Sequence, residues 1–142
     1  MDVKKILLVT ACAVFESNGK VLLSHRPENR SHGGFWEFPG GKIEAGETPE
    51  EAIVRELFEE LAIVVNPCSL IPLTFISHPY EKFHLLMPFF VCHYFEGIPQ
   101  SCEGQKIQWV TLKDLQNYSI LPADQPLISL LRNYSLHRRH LD

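Results

Sequence analysis

The sequence predicts an α/β/α sandwich on a mixed β-sheet, in one domain spanning residues 1–142. Three observations predict it. Apolar runs with strand character recur through both halves of the chain. A sharply marked amphipathic helix beginning near Pro49 interrupts them. A second helical spacing, Leu127, Leu130, Leu131 and Tyr134, closes the chain. Strands interleaved with separated helices form layers of sheet and helix around a core.

Residues 6–16 read as a strand of mixed burial, and Asn18-Gly19 signals a type I′ hairpin returning into a partner strand at 21–25. Arg26 ends that strand and a polar loop follows over residues 27–34. Residues 35–42 carry paired glycines, Gly40 and Gly41, which let a backbone carbonyl approach a ligand closely. After the helix, residues 70–77 are strand, 78–82 turn and 83–95 a long apolar strand. A second hairpin-like break at 96–99 precedes a strand at 106–111, and 112–118 is a short helical piece. Asp124, just before Pro126, suits a helix N-cap. His78, His84 and His93 lack metal-ligand spacing and read as packing or rim residues. The basic tail at 137–140 reads as frayed.

A chain of 142 residues can bury a real core, and its hydrophobic fraction of 45% and charged fraction of 21% are ordinary for a soluble domain. No apolar run reaches membrane-span length, and the N-terminus lacks a cleavage-site pattern, so neither a membrane partner nor a signal peptide is expected. Cys12, Cys68, Cys92 and Cys102 form no C-x-x-C pair, which favours reduced thiols and a cytoplasmic protein. A net charge of −4 argues against stable nucleic-acid binding. An anionic small substrate remains compatible if cations stand between it and the acidic groups.

Those acidic groups sit on the first helix. Thr48 caps it, Pro49 fits its first position, and Glu51 closes a capping box. Stepping about 100° per residue, Ile53, Val54, Leu57, Phe58 and Leu61 share one side and Glu56, Glu59 and Glu60 the other. Like charges at i, i+3 and i+4 weaken a helix, and Arg55, the only cation in 55–60, lies off the centre of the acidic stripe. Clustered carboxylates after a Gly-rich turn, with another acid at Glu47, are what Mg²⁺ or Mn²⁺ requires.

Gly41, Glu47, Arg55, Glu56, Leu57, Glu59, Glu60 and Ile63 resemble the Nudix box: a glycine, five residues, Glu, seven residues, then Arg-Glu-aliphatic-x-Glu-Glu-x-Gly-aliphatic. Across 23 positions one departs, Ala62 in place of glycine. Glycine there would be the left-handed C-cap, so alanine costs about 1 kcal/mol or shifts the helix end slightly, while removing no ligand. The flanks 36–44 and 122–124 resemble the MutT-like branch, so the resemblance covers nearly the whole chain and implies the Nudix fold.

The resemblance implies Mg²⁺, with Mn²⁺ as substitute, held by Glu56, Glu59, Glu60, Glu103 and the Gly40 carbonyl. Glu56 is the preferred general base, Arg55 an orienting partner for the glutamates, and Glu47 a brace or a further ligand. Arg26 and Lys42 are phosphate contacts, and Phe38 belongs with the substrate side. Tyr80 and Phe35 are stacking candidates, and Asp124 occupies the base-reading position. The implied reaction is hydrolysis of a nucleoside triphosphate to the monophosphate and pyrophosphate, by water attack at the β-phosphorus. The favoured substrate is 8-oxo-dGTP, for an enzyme that cleans the nucleotide pool. The alternative is CTP, dCTP or a 5-modified dCTP. Nucleotide-sugar or dinucleotide hydrolysis and a non-catalytic recognition module are more distant readings. A monomer is the default assembly.

Overall fold

The computed structural model describes residues 4–141, with side chains as far as Arg138. Met1, Asp2 and Val3, part of the stretch read for a signal peptide, lie outside the described residues. Strands β1 (Lys5–Val14), β4 (Gly40–Lys42), β5 (Leu70–Pro79) and β6 (Phe83–Cys92) form one sheet in the order β4-β1-β6-β5. β1 is parallel to β6, while the β1–β4 and β5–β6 pairs are antiparallel, so this sheet is mixed as expected. Strands β2 (Val21–His25), β3 (Trp36–Glu37) and β7 (Lys106–Val110) form a second, antiparallel sheet in the order β3-β2-β7.

That second sheet corrects the expected hairpin. Only Phe15 and Val21 bridge β1 to β2, and the two strands then part into different sheets. The turn is not type I′, which needs positive φ at both central residues. Only Gly19 has it, at +89°. Gly19 N–H donates to the Glu16 carbonyl and Glu16 N–H to the Lys20 carbonyl, each at 2.9 Å, closing a three-residue loop. The extra residue sharpens the local twist, which suits strands that must diverge. The break at 96–99 is likewise no hairpin. Glu96 pairs with Val64, and the chain crosses from β6 in one sheet to β7 in the other.

Strand alternation feeds two cores. Ala11, Ala13 and Phe15 with Val21, Leu23, Leu85, Met87, Phe89 and Val91 face α2 (Leu127–Leu141), through Leu127 and Leu131. Cys12, Val14, Leu22, Phe90 and Cys92 face α1 (Pro49–Leu61), through Ile53, Leu57 and Leu61. Sheet therefore lies between two helical layers. The expected apolar faces are slightly too wide: Phe58 is 58% exposed and Leu130 36%. One residue is 100° of rotation, enough to carry Phe58 off the stripe centred on Leu57. Helix α2 continues through the tail expected to fray, and Arg138 donates to the Tyr134 hydroxyl at 3.2 Å. No helix among the described residues is long and apolar enough to cross a membrane.

Candidate active site

Helix α1 starts as its sequence dictates. Thr48 is extended and accepts from Glu51 N–H, Glu51 returns a bond to Thr48 N–H, and Pro49 holds the first turn. It ends at Ala62, which adopts φ 59° and ψ 28° and donates its N–H to the Phe58 carbonyl. Alanine thus takes the left-handed conformation that glycine would adopt without strain.

Arg55 corrects one expectation, because it lies at the middle of the acids. Glu47 grips it bidentately, at 2.7 Å to Nε and 3.0 Å to Nη2. Its Nη1 meets Glu56 at 3.0 Å and Glu59 at 3.2 Å, and Nη2 donates to the Lys42 carbonyl at 3.0 Å. A long side chain reaches over the neighbouring turn where a helical projection places only its Cα. Its bond to Arg55 holds the Glu47 carboxyl below its ordinary value, aided by the Glu44 N–H. One guanidinium thereby ties the turn before the helix to two carboxylates on it.

Glu60 stands differently. Burial first, then the nearby carboxylates of Glu56, Glu103 and Glu37, push it up to about 9, against the backbone of Gly40. Burial also raises Glu56, with Arg55 opposing. Gly41 leaves the room that the Glu56 carboxyl occupies: a Cβ there would sit 2.5 Å from it. Glu103 reaches the cluster from the loop before β7. Its N–H donates to Gln105 Oε1 at 2.9 Å, while Gln105 Nε2 donates to the Glu60 carbonyl at 3.0 Å.

Crowded like charges and an all-oxygen donor set fit a hard divalent ion. Glu56, Glu59, Glu60, Glu103 and the Gly40 carbonyl are the groups able to hold one. Among the described residues no three acidic, histidine or cysteine side chains stand close enough together, as placed, to hold a metal ion.

Two cavities meet at this cluster. The smaller, about 180 Å³, is lined by Gly40, Glu60, Glu103, Arg26 and Glu37 among others. The larger, about 470 Å³ and more apolar, also contains Gly40, Arg26 and Glu37, and extends past Phe38, Lys42 and Tyr80 to Asp124. Phe38 is buried with its ring edge-on to Phe89. Lys42 is exposed at the rim. Tyr80 sits against His78 at 4.8 Å and Phe83 at 4.9 Å.

Asp124 is not a helix N-cap. It lies in a short 3-10 turn, fully buried, and Oδ2 accepts the Phe38 N–H at 3.2 Å. Burial pushes it up to about 7 against that bond. Phe35 corrects another expectation, since it does not line the cavity; His32 does.

His32 and Glu37 are the residues missed by sequence reasoning. Glu37 accepts from Arg26 Nε at 2.7 Å, and the pair stands where the two cavities join. Its signal was an acid set among Trp36, Phe38 and Pro39, where a merely solvated residue is out of place. His32 gave no signal, because a histidine in a polar loop is unremarkable until its backbone is seen.

A model described as the NUDIX domain matches residues 10–130. An 8-oxo-dGTP diphosphatase of Escherichia coli K12 is 34% identical over 128 residues, covering 90% of this chain and 98% of its own. A CTP pyrophosphohydrolase of the same organism is 34% identical over 124 residues, covering 86% and 89%. Among solved structures, the Escherichia coli ORF135 protein superposes with a TM-score of 0.82 at 29% identity, covering 95% and 94%. A structure from work on MutT of Aliivibrio salmonicida and Vibrio cholerae gives 0.77 at 36% identity, covering 89% and 97%. With its box helix, its two-layered core and these relatives, the chain belongs to the Nudix hydrolase family.

Proposed function

We propose that this enzyme hydrolyses a nucleoside triphosphate to the monophosphate and pyrophosphate, with 8-oxo-dGTP as substrate. The observation that carries the reading is the junction of an acid-lined cavity with a larger apolar one ending at a buried carboxylic acid. One accommodates a phosphate tail with its cations, the other a flat base, and the relatives' names match that division.

Nudix hydrolases work with divalent metal ions, and Mg²⁺ is the proposed ion here. Bound among Glu56, Glu59, Glu60, Glu103 and the Gly40 carbonyl, it supplies phosphate charge neutralisation and a lower pKa for water. The chain's own residues do the rest. Arg55 orients Glu56 and Glu59, with Glu47 bracing it from outside the helix. Glu56, the general base in this reading, takes the proton of the water that attacks the β-phosphorus. Arg26 and Lys42 meet the phosphates. Phe38 and Tyr80 bound the base compartment.

Asp124 supports the choice of base. An ionised carboxylate only accepts hydrogen bonds, which suits N7–H of 8-oxoguanine and opposes its O6 carbonyl. Held up to about 7, Asp124 is substantially protonated at neutral pH and donates as well. A cytosine nucleotide is the second reading, favoured by the CTP pyrophosphohydrolase relative. Measuring kcat/KM for 8-oxo-dGTP, dGTP, CTP, dCTP and 5-methyl-dCTP tests both. Preference for dCTP with no discrimination between 8-oxo-dGTP and dGTP overturns the first.

A single domain acting as a monomer in the cytoplasm completes the proposal.

A further inference from the structure

We propose that Ser24 and Arg30 receive the terminal phosphate of the substrate and so set a preference for triphosphates. This deepens the triphosphate reading given above and rests on it. Gly40, Arg26 and Glu37 line both cavities, whereas Ser24 and Arg30, with Glu60 and Glu103, line only the smaller one. With the base at the Asp124 end, the phosphate chain crosses the shared residues and ends in the smaller cavity.

That cavity is rich in carboxylates, so a phosphate entering it needs positive charge and hydrogen-bond donors. Most side-chain donors there are already engaged. Gln105 Nε2 donates to the Glu60 carbonyl, while its Oε1 accepts from Glu103 N–H and the Ser101 hydroxyl. Arg26 gives Nε to Glu37 and Nη1 to the Ser31 carbonyl. His25 packs edge-on against Trp36, 4.8 Å between centroids. Ser24 and Arg30 are left: among the described residues, neither side chain has a hydrogen-bond or charged partner.

The place of Ser24 in the strand argues the same way. Leu22, Ser24 and Arg26 share one face of β2. Leu22 lies in the core beneath α1, and Ser24 stands directly opposite Glu37 in the β2–β3 pair. The strand face therefore passes from core to cavity at Ser24, which is only 9% exposed. A hydroxyl set so deep without a protein partner costs more than an alanine would. No sealed-off side-chain polar atom lacks a bond among the described residues, so the small opening that Ser24 keeps is toward the cavity it lines. There a hydroxyl can donate to a phosphate oxygen. Arg30 supplies charge from the solvent side, on a turn closed by Arg30 N–H to the Pro27 carbonyl and Gly33 N–H to the Arg30 carbonyl.

The test measures KM and kcat for 8-oxo-dGTP and dCTP in wild type, Ser24→Ala, Arg30→Ala and Arg30→Lys. Beside them it measures the inhibition constant of the matching monophosphate, which fills the base compartment without reaching the smaller cavity. Each alanine variant should raise KM about 10-fold for the better triphosphate, the loss expected for one hydrogen bond to a charged group. The monophosphate constant and kcat should stay within about twofold, because the lost contact is uniform binding. Arg30→Lys keeps the charge and should hold KM within about threefold of wild type. Mn²⁺ affinity of the nucleotide-free proteins, read by electron paramagnetic resonance, should be the same in all four.

An unchanged triphosphate KM in either alanine variant overturns the pairing. So does an equal rise in the monophosphate constant, which marks a general disturbance of the site. Weakened Mn²⁺ binding in Ser24→Ala overturns it too, because the hydroxyl then serves the cation. Failure of the wild-type enzyme to hydrolyse either triphosphate overturns the substrate reading instead, which separates the two claims.

Discussion

Asp124→Asn tests how far burial governs the base end of the site. The carboxyl has an ordinary value of 3.8 and reaches about 7 in the fold, with desolvation the leading cause and the Phe38 N–H opposing it. A folded-state pKa above the unfolded one means that the native protein binds the extra proton. The associated stability is fully present below the unfolded value and is lost as pH rises through the folded one. From pH 5 to pH 7 the unfolded Asp is ionised while the native one is mainly protonated. Each pH unit is then worth about 1.4 kcal/mol, so wild type loses about 2 to 3 kcal/mol through this group.

Asparagine keeps an acceptor for the Phe38 N–H and cannot ionise. The variant therefore lacks this portion of the pH dependence, while Glu60 and the other acids titrate alike in both proteins and cancel in the difference. Urea denaturation of both metal-free proteins from pH 5 to 8 measures it directly. The stability gap should move by about 2 to 3 kcal/mol in favour of Asp124→Asn as pH rises. Parallel curves would show that Asp124 ionises normally, and the protonated-donor account of base recognition would fall with them.

Glu59→Gln and Glu60→Gln should each lower kcat by orders of magnitude at saturating Mg²⁺ with little change in circular dichroism. Near-normal hydrolysis by both would remove the metal assignment. Gly41→Ala should lower kcat at least tenfold, because its Cβ would fall 2.5 Å from the Glu56 carboxyl. A titration of activity against Mn²⁺ should show weakened metal dependence in that variant. Ala62→Gly should stabilise the fold by about 1 kcal/mol through release of the left-handed alanine at φ 59°, leaving kcat/KM unchanged. Denaturant unfolding beside steady-state kinetics checks both halves of that expectation.

The sequence alone determined what depends on residues close together in the chain. Thr48, Pro49 and Glu51 specify where α1 begins, Leu57 and its neighbours which side it buries, and Glu56, Glu59 and Glu60 where its acids stand. These follow from helical geometry and local hydrogen bonds, which need no distant partner. The same locality made the box, and with it the family, recognisable. The expected turn at Asn18-Gly19 marks the limit, since what the glycine permits locally was overruled by strands bound for separate sheets.

Tertiary structure decided what depends on distance through space. Arg55 at the hub of the acids, Glu37 between two cavities and Asp124 with its raised pKa each owe their properties to groups remote in sequence or to exclusion of water. Desolvation belongs to the assembled fold and to no single residue, and so the order of residues could name Asp124 without revealing its charge. His32 is the extreme case. Its left-handed backbone, at φ 57°, and the edge contact of its ring with Tyr80, 5.7 Å between centroids, exist only once both loops are in place.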